Sequence, residues 1–280
     1  MSDIVWLASY PKSGNTWLRV LLENYKRDDG QLIDINAIEE GHVVSARAFF
    51  DAALGVESSD LTADELERLR PAVFRHAAEA AAETLLLKTH DAYTFTDAGE
   101  PWVPTDVTRG TIYIVRNPLD VAVSFAHHLQ KPIDAAIECM AQSNAALVNK
   151  IDHLDTQVRQ KLHTWSEHVM SWIEQTDVPF HLMRYEEMLA HPLEAFGAAV
   201  RFIGWEHDAA RLERAVRLSS FEALQAQERE HDFKERLPGM TMFFRKGKAG
   251  SWREELDAGQ VERIIRDHGT VMRRLGYLEE

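Results

Sequence analysis

Short apolar runs set between long stretches of helical spacing form the dominant pattern of this chain. The first run, Ile4 to Ala8, breaks at Tyr10-Pro11. From Asn15 onward Leu18, Leu21, Leu22 and Tyr25 recur at helical intervals and run out near Asp28-Asp29-Gly30. Residues 31–84 read as mainly helical, with a helix start at Thr62, where Thr62-Ala63-Asp64-Glu65 has the form of a capping box. Leu85-Leu86-Leu87 reads as a buried strand that ends in Lys88-Thr89-His90, and Thr111 to Val115 as a strand rich in β-branched residues that ends at Arg116-Asn117. Pro118 suits the first turn of the helix that carries Val121, Val123, Ser124 and Phe125. A helical region over 133–176, a fourth strand at Phe180 to Met183, a helix through about Gly204, a charged helical stretch over 206–235 and a last helix over 258–275 complete the expected elements.

Alternation of short apolar strands with long helices predicts an α/β fold, with a central parallel sheet and helices on both faces. No repeat or low-complexity linker divides residues 1–280, so a single domain is expected. In such folds ligands sit beyond the carboxyl ends of the strands. Lys12, Lys88, His90, Arg116 and Arg184 all follow expected strand ends, which predicts a cationic rim.

Composition narrows what that rim serves. Of the 280 residues 45% are hydrophobic and 27% charged, as in ordinary globular proteins, and the net charge of -14 opposes a general basic surface for nucleic acid. Anion binding must therefore be local. No apolar run approaches membrane-spanning length, the start Met-Ser-Asp lacks a basic leader, and the single cysteine, Cys139, cannot form an internal disulfide. A cytoplasmic protein without membrane insertion is expected. The pairs His127-His128 and His163 with His168 lack partners at ligand spacing and read as structural or surface, so no metal site is expected.

The first turn carries the clearest chemistry. In Tyr10-Pro11-Lys12-Ser13-Gly14-Asn15-Thr16-Trp17 a strand gives way to a small-residue turn and then a helix, so backbone N–H groups and Lys12 converge on an anion site. Its one glycine and early lysine differ from a Walker A loop, so a phosphate-type ligand is expected, in a P-loop-like three-layer fold, without implying Mg-ATP. Two more anion patches, at Arg116 with Ser124 and at Arg245 to Gly247, suggest one nucleotide with phosphates at both ends.

These three motifs, in this order, resemble the cytosolic-type sulfotransferase family, which uses 3'-phosphoadenosine-5'-phosphosulfate (PAPS) as co-substrate. The Tyr10 to Trp17 segment resembles the family's 5'-phosphosulfate loop, Arg116-Asn117-Pro118-Leu119-Asp120-Val121-Ala122-Val123-Ser124 its 3'-phosphate motif, and Arg245 to Trp252 its C-terminal basic loop. The resemblance implies that Lys12 stabilises the leaving phosphate, that Ser13, Gly14, Asn15 and Thr16 cradle the 5'-phosphate, and that Trp17 stacks on adenine beside Tyr185, Ser219 and Phe221. It further implies that Arg116, Ser124, Arg245, Lys246 and Gly247 hold the 3'-phosphate. His90 matches the general base and Lys88 lies beside the transferring group. The partner it implies is a small-molecule acceptor with a hydroxyl or, second, an amine.

The chain departs from the family pattern at several points. Asn15 replaces a common threonine, Asp91-Ala92-Tyr93 replaces leucine-proline after the base, and Ser251 stands where aspartate is common. Asp91 is expected either to tune His90 or to face water. The family's Lys-Thr-Val-Glu dimer motif is absent after Trp252, so no dimer mode carries over. Phe243-Phe244 is expected to line the acceptor pocket or anchor the basic loop, and Gln227 to Arg236 to be a solvated face or a lid. Two other readings compete: a P-loop-like kinase, opposed by the lack of a strand-terminal aspartate, and a nucleotide-sensing module without turnover, opposed by the presence of both Lys12 and His90.

Overall fold

The computed structural model describes residues 3–27, 30–148 and 154–279. In chain order the elements are β1 (Ile4–Ser9), α1 (Asn15–Lys26), β2 (His42–Val43), α2 (Arg47–Leu54), α3 (Ala63–Ala80), β3 (Leu85–Thr89), β4 (Thr108–Val115), α4 (Pro118–Leu129), α5 (Ile133–Met140), β5 (Ala146–Leu147), β6 (Gln160–Lys161) and α6 (Trp165–Ile173). There follow β7 (Phe180–Arg184), α7 (Tyr185–Ala190), α8 (Pro192–Ile203), α9 (Ala209–Leu218), α10 (Phe221–His231), α11 (Trp252–Glu255) and α12 (Ala258–Arg274). The fold is α/β, with a mostly parallel central sheet of order β2-β3-β1-β4-β7 and helices on both sides.

Each expected strand is present, and local chemistry explains its ends. All six residues of β1 are buried, as a strand covered on both faces requires. The Thr62 capping box forms as expected: Glu65 N–H donates to Thr62 Oγ1 at 3.3 Å, and Thr62 N–H donates to Glu65 Oε2 at 2.8 Å. Pro118 occupies the first turn of α4, whose N-terminus is capped by Asn117 Oδ1 accepting from Leu119 N–H at 3.0 Å.

Several expectations need correction. The strand after Leu85 runs on to Thr89, so Lys88 lies inside β3 rather than beyond its end. Its partner there is Leu7 of β1, in parallel register. Residues 31–84 are not simply helical, since His42–Val43 pairs with Leu87 and Lys88 as a further edge strand, too short to carry a two-residue period in the sequence. The span 133–176 is not one helix either. Helix α5 stops at Met140, the antiparallel pair β5–β6 follows, and among the described residues helix resumes at Trp165 under a second capping box, Thr164 with Glu167. Asp28 and Asp29, where the first helix was expected to end, lie outside the described residues, as does part of 133–176 (residues 149–153).

The chain divides into two compact units. The first comprises residues 1–10, 41–113 and 142–182, and holds most of the sheet with α2, α3 and α6. Its core includes Trp6, packed edge-on to Phe74 at 4.9 Å and to Trp102 at 5.1 Å. The second comprises residues 11–40, 114–141 and 183–280. One of its clusters gathers Val20, Ile33, Ile35, Ile38, Leu224, Phe233 and Phe244, with Trp17, Phe221 and Phe243 against it.

Each unit buries a histidine. Burial pushes His168 down to about 3 and His268 down to about 4, the Asp267 carboxylate opposing the latter shift. Both are therefore neutral in the folded chain. The unfolded chain takes up protons below about pH 6.5 that these groups refuse, so their contribution is full above that value and is lost as pH falls toward the folded values. The expected slope is about 1.4 kcal/mol per pH unit for each histidine. Urea unfolding between pH 7 and 5 checks this: stability falls with pH in the wild type, and His268→Gln flattens the fall. An equal slope in both proteins would refute the assignment.

Candidate active site

Residues expected to hold the nucleotide all belong to the second unit, from Lys12 through Gly247. The turn between β1 and α1 is built from two left-handed residues, Lys12 with φ of 66° and Gly14 with φ of 108°. A non-glycine residue held there costs of order 1–2 kcal/mol, so the surroundings must impose it. Arg116 supplies one restraint by donating from Nη1 to the Lys12 carbonyl at 3.1 Å, and Lys12 Nζ sits 3.8 Å from the centre of the Phe243 ring. Gly14 is required for a second reason: a Cβ there would lie 2.7 Å from Tyr185 Cδ2. Within this turn Ser13 is buried, and its Oγ has no hydrogen-bond partner among the described residues. Such a buried hydroxyl calls for a ligand atom.

Arg116, in the β4–α4 connection, and Asp120, in the first turn of α4, organise the rest. The Arg116 guanidinium lies 4.3 Å from the Tyr185 ring centre, donates from Nη2 to the Lys248 carbonyl at 3.3 Å, and has no partner at Nε among the described residues. Asp120, 1% exposed, accepts from Gly250 N–H at 2.7 Å and from Ser251 Oγ and Trp252 N–H at 3.1 Å each. It thus staples the basic loop to α4. Sequence reasoning passed over Asp120, although its place four residues after Arg116 was a usable signal. Ser124 is half-buried on α4.

Trp17 donates from Nε1 to the Ser219 carbonyl at 2.8 Å and meets Tyr185 edge-on at 6.1 Å, so the four aromatic-pocket residues expected from the sequence fall together. Phe221 completes them by closing on Gly247, where a Cβ would lie 2.1 Å from Phe221 Cδ2. Arg245 makes two 2.9 Å bonds to Glu255, and Lys246 reaches Glu255 at 2.7 Å and Glu254 at 3.2 Å. The Lys248 ammonium, 3.1 Å away, leads in holding the Glu254 carboxyl below its ordinary range. Local acids therefore partner the basic loop. Phe244 is buried and anchors this segment, and its N–H and that of Phe243 both donate to the buried carboxylate of Glu228. The run Gln227 to Arg236 is accordingly not one solvated face, because Gln227 and Glu228 point inward.

His90 and Lys88 belong to the first unit. Parallel register sets Ala8 opposite Thr89, which brings the end of β1 to the end of β3. His90 Nδ1 lies 2.8 Å from the Ser9 carbonyl and 3.3 Å from Ser9 Oγ. A carbonyl can only accept, so Nδ1 carries the hydrogen and Nε2 is the basic nitrogen. Asp91 does not face water. It is 2% exposed, pairs with Arg70 at 2.9 Å and accepts from Lys161 N–H at 2.8 Å. Among the described residues no group of three or more His, Cys, Asp or Glu is placed to hold a metal ion.

A model of the sulfotransferase domain matches residues 2–276. The chain belongs to the sulfotransferase domain family. Relatives of this sulfotransferase-family chain include flavonol 3-sulfotransferase of Flaveria bidentis, 25% identical over 93% of this chain and 78% of the relative. Another is cytosolic sulfotransferase 1 of Arabidopsis thaliana, 26% identical over 94% and 76%. Its fold is similar to that of a mouse sulfotransferase complexed with PAP, with a TM-score of 0.63 and 21% identity over 99% of this chain and 89% of that one. It is also similar to retinol dehydratase in a complex with retinol and PAP, with a TM-score of 0.64 and 20% identity over 97% and 82%.

Removing the Asp120 carboxylate frees three donors at once. Asp120→Ala is expected to lower stability by about 1.5–3 kcal/mol, as for hydrogen bonds to a charged group. It should also speed hydrogen exchange at the Gly250 and Trp252 amides. Unchanged exchange at both would show that the loop is held by other contacts.

Proposed function

We propose that the chain moves the sulfuryl group of PAPS to a hydroxyl group of a small-molecule acceptor, with adenosine 3',5'-bisphosphate (PAP) as the other product. Family membership carries the reaction class. The observation that most supports the site is the buried Ser13 Oγ, without a partner among the described residues, inside a turn whose Lys12 is held left-handed. Two PAP-bound structures share the fold, and their ligand is the expected product.

PAPS supplies an activated sulfuryl group on a phosphate leaving group. The residues then have separable tasks. His90 Nε2 takes the acceptor's proton as the oxygen–sulfur bond forms, while its Nδ1–H stays on the Ser9 carbonyl. The Lys12 ammonium neutralises charge gathering on the departing phosphate oxygen, with Lys88 beside the transferring group. Ser13, Gly14, Asn15 and Thr16 donate to the 5'-phosphate at the head of α1. Trp17, Tyr185, Ser219 and Phe221 enclose adenine. Arg116, Ser124, Arg245, Lys246 and Gly247 take the 3'-phosphate, for which Arg116 Nε is a donor in reserve. The proposal includes a single working domain and a cytoplasmic setting.

Transfer of labelled sulfate from PAPS to a panel of hydroxyl and amine acceptors tests the reaction. Labelled phosphate transfer from ATP instead would favour the kinase reading, and PAP binding without any turnover the sensor reading. His90→Ala is expected to lower turnover by about 10^2 to 10^4, the range for a general base, with PAP affinity near wild type. Turnover equal to wild type would remove His90 from the base role. Arg116 also ties two backbone carbonyls, so Arg116→Ala should weaken adenosine 5'-monophosphate somewhat, and PAP by about 1.5–3 kcal/mol more. Equal losses would reduce Arg116 to scaffolding.

A further inference from the structure

The base is held by a helix whose part in the site no sequence motif marks. On α6, His168, Ser171 and Trp172 stand at i, i+3 and i+4, one face of the helix. That face grips the segment after β3 residue by residue. His168 Nε2 lies 3.0 Å from the His90 carbonyl, Trp172 Nε1 donates to the Asp91 carbonyl at 2.9 Å, and Tyr93 N–H donates to Ser171 Oγ at 2.9 Å. Of these, His168 connects onward to another strand. Its Nδ1 lies 2.8 Å from Tyr113 Oη, and that phenol oxygen also meets the Tyr10 backbone N–H.

Proton directions follow from the partners. The His90 carbonyl can only accept, so His168 Nε2 carries the hydrogen and Nδ1 accepts. Tyr113 then donates to Nδ1, and its oxygen accepts from Tyr10 N–H. The far end closes on the start, because Tyr10 N–H and the Ser9 carbonyl belong to one peptide unit, and that carbonyl receives His90 Nδ1–H. The result is a ring of hydrogen bonds: peptide Ser9-Tyr10, Tyr113, His168, the His90 backbone, the His90 imidazole, and back to the peptide. Every donor points the same way around, so the bonds polarise one another. Its members all lie in the first unit.

We propose that His168, with Tyr113, is a positioning residue for the base: it holds the His90 backbone and the Ser9-Tyr10 peptide at the spacing that keeps His90 in the Nδ1–H tautomer. His168 suits this task because it is 0% exposed and stays neutral, so both of its nitrogens keep fixed roles. A protonated imidazole would offer a donor to Tyr113, and the ring would open there. The proposal rests on the base role given to His90 above.

The test uses the full chain, with His168→Leu, His168→Gln and Tyr113→Phe in wild-type and His90→Ala backgrounds. Nitrogen-15 shifts of the His90 ring report its tautomer without any turnover. In the wild type they should show the Nδ1–H form, and in His168→Leu and Tyr113→Phe a mixture with the Nε2–H form. Turnover of His168→Leu should fall roughly ten- to a hundredfold with PAP affinity unchanged, and His168→Gln, whose amide can both donate and accept, should recover most of it. In the His90→Ala background neither substitution should lower turnover further. An unshifted tautomer in Tyr113→Phe, with turnover equal to wild type, overturns the proposal even if His168→Leu fails to fold. The same fold-loss with and without His90 also overturns it, since a purely structural role predicts that result. Absence of sulfate transfer by the wild type, with the tautomer shift as expected, would count against the transferase reading and leave the ring standing.

Discussion

The parallel register of β1 and β3 is the constraint on which the chemistry of the first unit depends. Ala8 stands opposite Thr89, the last residue of β3, and the next residues along each chain, Ser9 at the end of β1 and His90 just past β3, meet through a 2.8 Å hydrogen bond. A shift of one residue would turn every side chain of β3 to the opposite face. His90 would lose its carbonyl partner and with it the reason for one tautomer. Strand pairing, usually counted as stability, here selects which imidazole nitrogen is basic.

In the second unit a comparable role falls to the connection between β4 and α4. Arg116 reaches the carbonyls of Lys12 and Lys248, and Asp120 takes the donors of Gly250, Ser251 and Trp252. Two side chains one helical turn apart thereby fix the first turn and the basic loop, which are more than 230 residues apart in the chain. Glycine matters at both places for steric reasons, because Gly14 lies against Tyr185 and Gly247 against Phe221. Aromatic rings packed on bare backbone leave flat walls, a shape suited to a purine.

Charge in this protein is arranged locally. The chain carries -14 overall, yet Arg116, Arg245, Lys246 and Lys248 gather in one unit, three of them already paired with Glu254 and Glu255. Such pairing keeps the basic loop ordered at modest cost, since exposed ion pairs are worth about 1 kcal/mol or less and can be exchanged for a phosphate. Deeper in the first unit the Arg70–Asp91 pair serves a different purpose. Buried, with Asp91 also accepting from Lys161 N–H, it ties down the segment that follows His90.

How much of this was legible in the sequence follows from the range of each interaction. β1, β3, β4 and β7, the cap at Thr62, Pro118 in the first turn of α4 and the three anion motifs could be read because each depends on neighbours a few residues away. The edge strand His42–Val43 and the break in 133–176 could not, because a two-residue strand has no period and its pairing is decided by a partner some 45 residues distant. The same holds for site residues. Lys12, His90 and Arg116 announce themselves beside strand ends, whereas Asp120 and His168 look like ordinary helix residues, and Asp91 like a surface acid. Their roles come from partners 70 to 130 residues away, Lys161 for Asp91, His90 for His168, Gly250 for Asp120. Local sequence determined the strand-turn-helix units and the chemistry at their tips. Only tertiary structure decided which carbonyl meets which nitrogen, because a hydrogen bond is specified by distance and direction, and neither is a property of sequence spacing once the chain has turned back on itself.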